Sequence, residues 1–371
     1  MKLGEPQPLQ QVDRTFVRIG KRKLSYFAGC DYFRMASDPR TLQALAAGLK
    51  KYGLSVAASR LTTGNHKIFR ELEEALAKFF DAEDVLLTSG GYMTNFVVAQ
   101  GLAGNFSHAL IDERSHPSLG DAARFLDCPI LKFKHQDPAD LKRAVERCGP
   151  GTKLLVMTDG MFSHDGSVAP LAAYTKLLPR DAWMLVDDAH GGGVVGKTGK
   201  GSLEASGVPR RQVIQTITLS KAFGAYGGGI VATKAIRQKL IAGSKLFAGS
   251  TPLPLPLAAA ALKSIALLRK DRTFLRRLNE NAAYLKTKLV DREPNLNFQG
   301  LATPGPIVSV LPSDPRQTFR VRKSVLEADV FPSIIRYPGG PASGYFRFVI
   351  SSRHTRGQLD ALASALTART L

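Results

Sequence analysis

The chain has 371 residues, 44% of them hydrophobic, which is enough for the core of one large or two ordinary domains and argues against a disordered protein. Its net charge of +20 suits a well-solvated basic surface, a nucleic acid partner, or an anionic substrate or acidic partner. There is no apolar stretch of membrane-spanning length, no signal-peptide pattern and no Cys-x-x-Cys pair. We therefore expect a cytoplasmic protein with free thiols and without a membrane segment, a disulfide or a bound metal. The absence of zinc-finger and RNP motifs argues against nucleic acid.

Helix-like and strand-like segments alternate between about residues 69 and 219. Apolar residues recur at helical spacing from Phe69 to Phe79, and short apolar runs that are typical of buried strands follow. These runs are 85–87, 109–111, 154–157, 184–186 and 213–219. Alternating strands and helices predict an α/β fold with a mostly parallel sheet and helices on both faces. Ligands of such sheets bind beyond the carboxyl ends of the strands.

The pattern changes near residue 250. The alternating prolines of 251–256 argue against a regular helix or a central strand in that segment. One long helical stretch over about 257–289 is predicted next, followed by a smaller α+β region. That region has strands near 307–311 and 346–350 and a closing helix over about 357–366. We therefore divide the chain into an N-terminal segment, 1–45, a large domain, 46–250, and a small domain, 251–371.

Residues suited to chemistry follow several of the predicted strands. Ser89-Gly90-Gly91-Tyr92 ends one strand where a helix begins, so its backbone N–H groups can approach an anion. His116 follows the strand at 109–111 and is placed to stack on a flat ring or to move a proton. An ordinary turn and a structural histidine are the alternatives for these two sites.

Two further strands end in charged residues. Asp187 ends the strand at 184–186, where a buried carboxylate requires a partner such as a protonated pyridine nitrogen, and His190 lies three residues on. Lys221 follows the strand at 213–219 beside Thr218 and small residues, which suits a Schiff-base lysine whose pKa is lowered by burial. A metal site or helix cap and a surface lysine are the alternatives.

Residues 191–198 match the phosphate-binding loop pattern G-x-x-x-x-G-K-[ST] and also G-x-G-x-x-G. A phosphate-binding loop requires a helix directly after its lysine, and Gly199-Lys200-Gly201 is poor helix sequence. Asp187 and Asp188 stand just before the loop and would repel phosphate. Nucleotide binding is therefore only a remote alternative.

Taken together, these segments resemble the α-oxoamine synthase family of pyridoxal 5'-phosphate (PLP) enzymes with fold type I. The resemblance extends from Asp31-Tyr32 to Arg347 and is most specific at 218–227, which is similar to the family's PLP-lysine signature, and at 186–190. The spacing between the motifs also fits. The resemblance implies a PLP cofactor and a homodimer with shared sites.

The resemblance also implies individual roles. Lys221 would bind PLP covalently, Asp187 would pair with the pyridinium nitrogen, and His116 would stack on the ring. The remaining cofactor contacts would come from His190 and Ser163 to the ring hydroxyl, from Gly91, Tyr92 and Thr218 to the phosphate, and from Ser250 and Thr251 to the phosphate of the neighbouring subunit. Arg336 would bind the amino-acid carboxylate through its planar fork. We expect Lys221, His116, Asp187 and His190 to take part in catalysis.

The implied reaction condenses an amino acid, L-alanine or another small one, with an acyl thioester of coenzyme A or of an acidic acyl carrier protein. Carbon dioxide leaves and an α-amino ketone forms. An aminotransferase would use the same lysine, aspartate and ring contacts, so the motifs leave that alternative open. A catalytically silent PLP-binding relative also stays open.

The chain departs from the family pattern near the expected substrate entrance. Cys30 stands where the family usually has asparagine, and Arg34 replaces a glycine. Ala57-Ala58 occupy a segment that is usually glycine-rich, and Phe69 replaces a histidine. These departures leave the identity of the amino acid and of the acyl donor open.

Overall fold

The structure is a computed structural model that describes residues 8–291, 296–336 and 343–368. The strands are β1 Gln10–Gln11, β2 Phe16–Ile19, β3 Arg22–Ser25, β4 Asp84–Thr88, β5 His108–Asp112, β6 Ile130–Phe133, β7 Leu154–Asp159, β8 Trp183–Asp187, β9 Val213–Thr218, β10 Gly228–Ala232, β11 Asn297–Gln299, β12 Ile307–Leu311, β13 Ile334–Ile335 and β14 Tyr345–Val349. The helices are α1 Pro39–Tyr52, α2 Lys67–Phe80, α3 Gly91–Gly101, α4 Pro117–Ala123, α5 Pro138–Cys148, α6 Leu171–Leu177, α7 Ser202–Ser206, α8 Lys234–Gly243, α9 Lys245–Gly249, α10 Leu255–Lys270, α11 Thr273–Val290, α12 Pro315–Glu327 and α13 Arg356–Leu366.

A seven-stranded sheet in the order β4-β10-β9-β8-β7-β5-β6 forms the centre of the fold. The strand β10 runs in the opposite direction to the other six strands, so the prediction of a mostly parallel sheet is confirmed. Every residue of β4, β7 and β9 is buried, because helices cover both faces. The carboxyl ends of β4, β5, β7, β8 and β9 therefore meet at one edge.

Alternate residues of β4 show the two covered faces. Val85 and Leu87 pack into a core that contains residues of α2 and α10, whereas Leu86 packs into a core that contains residues of α3, α4 and α8. The two-residue period of a strand sends neighbouring side chains to opposite faces. Because both faces of such a strand are buried, its sequence is a continuous apolar run and does not alternate between apolar and polar residues.

Sequence patterns missed β10 and misjudged the segment after residue 250. The strand β10 begins with two glycines and gives a weak strand signal. Pro256 is the second residue of α10, where a proline costs nothing because the first N–H groups of a helix have no acceptor. The predicted single helix over 257–289 is two helices that divide at Asp271 and Arg272, where the Asp271 carboxylate accepts from the Thr273 N–H at 2.9 Å.

A four-stranded antiparallel sheet, β11-β12-β14-β13, forms the core of the C-terminal part, and α13 closes it as predicted. The expected boundary at residue 45 lies inside the continuous helix α1. The expected boundary at residue 250 lies between α9 and α10, although α10 packs against α1 and α2. None of the helices in the described ranges is both long and apolar enough to cross a membrane.

Candidate active site

A cavity of about 570 Å³ lies at the carboxyl edge of the central sheet. Residues from β8, β9, the start of α3 and the loops after β5 and β9 line it. Seven residues singled out from the sequence meet there, namely Gly91, Tyr92, His116, Asp187, His190, Thr218 and Lys221. These seven come from chain positions up to 130 residues apart, which only the parallel sheet brings to one edge.

The carboxylate of Asp187 is buried and held by neutral donors. Asn95, on α3, donates from Nδ2 to Asp187 Oδ2 at 2.7 Å, and the N–H of Ala189 donates to Oδ1 at 3.1 Å. Thr216 donates from its hydroxyl to Asn95 Oδ1 at 2.8 Å, which fixes the orientation of the amide. Ser118 adds a longer contact of 3.4 Å. Among the described residues this carboxylate makes hydrogen bonds to neutral donors and no ion pair, so it is suited to a cationic ligand group.

The amine of Lys221 faces the same cavity. In the described part of the chain it makes no hydrogen bond and no ion pair, so nothing blocks its reaction with a carbonyl carbon. Burial lowers the pKa of Lys221, with Cys30, Asp187 and Asp159 raising it and Arg347 lowering it further. A lowered pKa increases the fraction of neutral, nucleophilic amine.

The two predicted histidines are held in neutral forms. His116 accepts the N–H of Ser118 at Nδ1, 3.2 Å away, and burial lowers its pKa although Asp187 raises it. His190 pairs through Nδ1 with the hydroxyl of Tyr32 at 2.8 Å. Burial, followed by the charge of Lys221, places the pKa of His190 well below its ordinary value. The lowered pKa values favour the neutral form of both rings.

A cradle for an anion lies where α3 begins. A side-chain carbon at Gly91 would stand 2.6 Å from Cβ and Oγ1 of Thr218, so only glycine allows this approach. The first N–H groups of an α-helix lack intrahelical acceptors and carry partial positive charge. Thr218 and Ser220, whose hydroxyls are 2.7 Å apart, supply further polar atoms. This corner fits a phosphate group.

Four predicted site residues do not line this cavity, and their roles stay predictions. Ser163 is half-buried, and its carbonyl accepts from Arg347 Nη1 at 3.1 Å. Ser250 and Thr251 line a small adjoining recess that shares Ser89 and Met93 with the cavity. Arg336 is exposed at the end of β13.

Sequence patterns missed other residues of the site. Asp159 ends β7, and the strand-end argument that found Asp187 would have found it too. Its Oδ1 accepts the N–H of His116 at 2.9 Å, and burial raises the pKa of Asp159 well above its usual range. Asn95 lies inside a helix and Arg347 inside a strand, so neither has a local signal. Arg347 is nine-tenths buried, and its charge lowers the pKa of both Lys221 and His190.

Two of the residues that depart from the family pattern have backbone conformations that glycine favours. Arg34 has φ 56° and Ala57 has φ 50°, in the left-handed region that side chains with a Cβ enter at a cost of about 1–2 kcal/mol. The Sγ atom of Cys30 lies 4.0 Å from Arg347 Nη2, beside the cavity. Phe69 is fully buried in a core and does not line the cavity.

The glycine loop at 191–198 does not form a phosphate site. The carboxylate of Glu204 accepts from the N–H and hydroxyl of Thr198, at 3.0 and 2.7 Å, and from the N–H of Lys200 at 3.0 Å. The next helix, α7, begins only at Ser202. Because an internal carboxylate already binds these donors, a phosphate has no place there.

The cavity fits PLP on three independent points: an amine that makes no hydrogen bond to the described residues, a buried carboxylate for a pyridinium nitrogen, and a glycine-lined helix start for a phosphate. Together with the mostly parallel sheet, they define a PLP-dependent enzyme of fold type I. A family described as aminotransferase class I and II matches residues 31–366. The chain belongs to this family and, within it, to the α-oxoamine synthases.

The relatives agree with that placement. The 8-amino-7-oxononanoate synthase of Thioalkalivibrio sulfidiphilus is 34% identical over 98% of this chain and 91% of its own. The 8-amino-7-oxononanoate synthase of Symbiobacterium thermophilum is 33% identical over 96% of this chain and 91% of its own. A structure of serine palmitoyltransferase from S. paucimobilis with bound PLP has a TM-score of 0.91 and 26% identity, over 98% of this chain and 92% of that one. The family resemblance and the PLP cofactor predicted from the sequence are confirmed.

Proposed function

We propose that this enzyme condenses a small amino acid with an acyl thioester, with loss of carbon dioxide, to give an α-amino ketone. The observation that carries the proposal is near-full-length similarity to several 8-amino-7-oxononanoate synthases, at 33–34% identity. L-Alanine and a pimeloyl thioester, the substrates used in biotin synthesis, are the first candidates that this likeness suggests.

PLP, when bound, provides an electron sink for the carbanion formed at the amino acid's α-carbon. Lys221 would carry the cofactor, and its amine would serve as the base for the α-proton, because burial lowers its pKa. Asp187 would pair with the pyridinium nitrogen, and Asn95 keeps that carboxylate in orientation. His116 would stack on the ring, and Gly91 and Thr218 would hold the phosphate.

We propose Arg347, rather than Arg336, as the group that binds the amino-acid carboxylate. Arg347 is buried on β14, and its positive charge lowers the pKa of both Lys221 and His190. Arg336 is exposed. The guanidinium of Arg347 also lies beside Cys30, where the family usually has asparagine. A planar guanidinium fixed beside Cys30 would orient the amino acid through two parallel hydrogen bonds to its carboxylate.

We also propose a cytoplasmic homodimer whose partner copies complete each other's sites. In support of contact between copies, α1 and the segment after it expose Leu42, Leu49, Leu54 and Leu61, each between 46% and 69%. Three free cysteines agree with a reducing compartment. Light scattering on a sizing column measures the mass, and a monomer at micromolar concentration contradicts the dimer.

Turnover with a panel of amino acids and acyl thioesters tests the function. Release of free thiol together with carbon dioxide, in equal amounts, is the expected result with at least one pair. Lys221→Ala is the matched inactive control. Exchange of an amino group with a 2-oxo acid, without thiol release, contradicts the synthase and favours the aminotransferase.

A further inference from the structure

Three arginines from separate parts of the chain converge on one buried carboxylate. Asp38, whose side chain is 3% exposed, meets Arg40 Nε at 3.0 Å, Arg353 Nη2 at 3.6 Å and Arg14 Nη1 at 3.7 Å. Arg14 precedes β2, Arg40 is in the first turn of α1, and Arg353 follows β14. One negative charge therefore faces three positive ones.

Another arginine and another carboxylate complete the surroundings. Hydrogen bonds from Thr273 lower the pKa of Asp271 most. The positive charges of Arg277, which is exposed on α11, and of Arg40 lower it further. Burial first, then the positive charges of Arg14, Arg277 and Arg40, lowers the pKa of Arg353, although Asp38 raises it. The three guanidinium groups of Arg14, Arg40 and Arg353 thus surround the single carboxylate of Asp38 and retain an excess of positive charge.

The cluster is open to solvent and partly organised for a ligand. The side chains of Arg14 and Arg353 are 28% exposed and that of Arg40 is 45% exposed. Arg353 Nε is buried and finds no acceptor among the residues that the structure describes, so it can donate to a ligand. The guanidinium groups of Arg40 and Arg353 lie 5.8 and 5.3 Å from the ring centre of Phe274, which holds them side by side.

The cluster is also close to the active site. Arg353 directly follows Ser352, whose N–H donates to the carbonyl of Tyr32 at 2.9 Å. Tyr32 in turn pairs with His190, which lines the cavity. Phe274 packs edge-on against Phe33, the next residue after Tyr32.

We infer that Arg14, Arg40 and Arg353 form an anion site that binds a phosphate group of the acyl thioester's carrier. This inference rests on the proposed function, because it concerns the acyl donor of that reaction. Grouped guanidinium forks match the geometry of phosphate oxygens, and excess positive charge is relieved when a phosphate binds. Coenzyme A and the phosphopantetheine arm of a carrier protein share this chemistry.

The test measures binding of coenzyme A to the PLP-loaded enzyme by calorimetry, so it does not depend on turnover. Arg353→Gln and Arg40→Gln should each weaken binding about tenfold or more, the usual worth of a hydrogen bond to a charged group. Arg322→Gln, which removes an exposed arginine from α12, is the matched control and should leave the dissociation constant unchanged. PLP absorbance and far-ultraviolet dichroism verify that each variant is folded.

Asp38→Asn gives a prediction of the opposite sign. Asparagine keeps the helix cap of α1 while removing the competing negative charge, so coenzyme A should bind several-fold more tightly. A cluster that only ties Arg14, α1 and the turn after β14 together would lose stability in this variant without gaining affinity. Tighter binding therefore separates a ligand site from a purely structural one.

Two further probes identify the phosphate. If 3'-dephospho-coenzyme A binds as weakly to the wild type as coenzyme A binds to Arg353→Gln, the 3'-phosphate is the group bound. If 3'-dephospho-coenzyme A and phosphopantetheine keep the sensitivity to Arg353→Gln, the phosphate next to the pantetheine arm is bound. Unchanged affinity in both arginine variants, or no binding of coenzyme A to the wild type, overturns the inference. If the inference fails in this way but the wild-type enzyme still releases thiol during turnover, the proposed function stands without the arginine site.

Discussion

The side chain of Asn95 donates to the carboxylate of Asp187 over 2.7 Å, from the middle of α3 to the end of β8. Replacing Asn95 with leucine, which has nearly the same shape, leaves a buried carboxylate with one donor fewer. We expect the free energy of unfolding of the PLP-free enzyme to fall by about 1–3 kcal/mol and PLP to bind about tenfold more weakly. Thermal unfolding and PLP titration measure the two effects.

Asn105→Leu is the control for that substitution. Asn105 is exposed; its side chain donates to the carbonyls of Leu102 and Ala103 and accepts from Lys239 Nζ at 3.5 Å. Equal losses of stability and PLP affinity in the two variants would show that the Asn95–Asp187 contact has no special part in the site.

Lys221→Ala should abolish covalent retention of PLP. After borohydride reduction and denaturation, the wild-type chain should keep the mass of the cofactor and the variant should not, because Lys221 is the amine that faces the cavity. Turnover should fall at least about a hundredfold through loss of the base. Lys200→Ala, in the loop before α7, should retain both properties. Retention of cofactor mass by the Lys221 variant would refute the lysine assignment.

Arg347→Gln and Arg336→Gln decide which arginine binds the substrate carboxylate. With Arg347 as the binding group, its variant should raise the KM for the amino acid roughly tenfold to a hundredfold, since a charged hydrogen-bonding pair is lost. The exposed Arg336 should change this KM less than threefold. PLP absorbance should be the same in both variants. The reverse order of effects would favour the assignment made from the sequence.

His354 should make the protein sensitive to acid. Its Nδ1 accepts the N–H of Ser351 and its Nε2 donates to the carbonyl of Tyr26, both at 3.0 Å, and burial lowers its pKa to about 3. Between pH 6.5 and 3 the unfolded chain binds a proton there that the folded chain does not. Stability is therefore lost as the pH falls, by up to about 1.4 kcal/mol per pH unit from this one group.

Denaturant unfolding between pH 6.5 and 4 measures that slope. His354→Gln removes the titrating group, so the free energy of unfolding of the variant should fall less steeply with acidification than that of the wild type. Equal slopes would mean that His354 does not contribute to the acid sensitivity.

The sequence indicated the parallel sheet, because buried strands read as short apolar runs, and it located Gly91, His116, Asp187 and Lys221 at strand ends. That argument depends only on local spacing and on the rule that parallel strands place their carboxyl ends together. The division of the helical stretch at Asp271 and the antiparallel β10 gave no comparable signal.

The sequence by itself thus determined the class of fold, the cofactor chemistry and the residues that follow the strands. Only the tertiary structure decided that Asn95 supports Asp187, that Arg347 is buried and that its charge lowers the pKa of Lys221, and that Arg14, Arg40 and Arg353 surround Asp38. The reason is physical. Strand ends are encoded by neighbouring residues, whereas contacts between a helix, a distant strand and a loop depend on how separate elements pack.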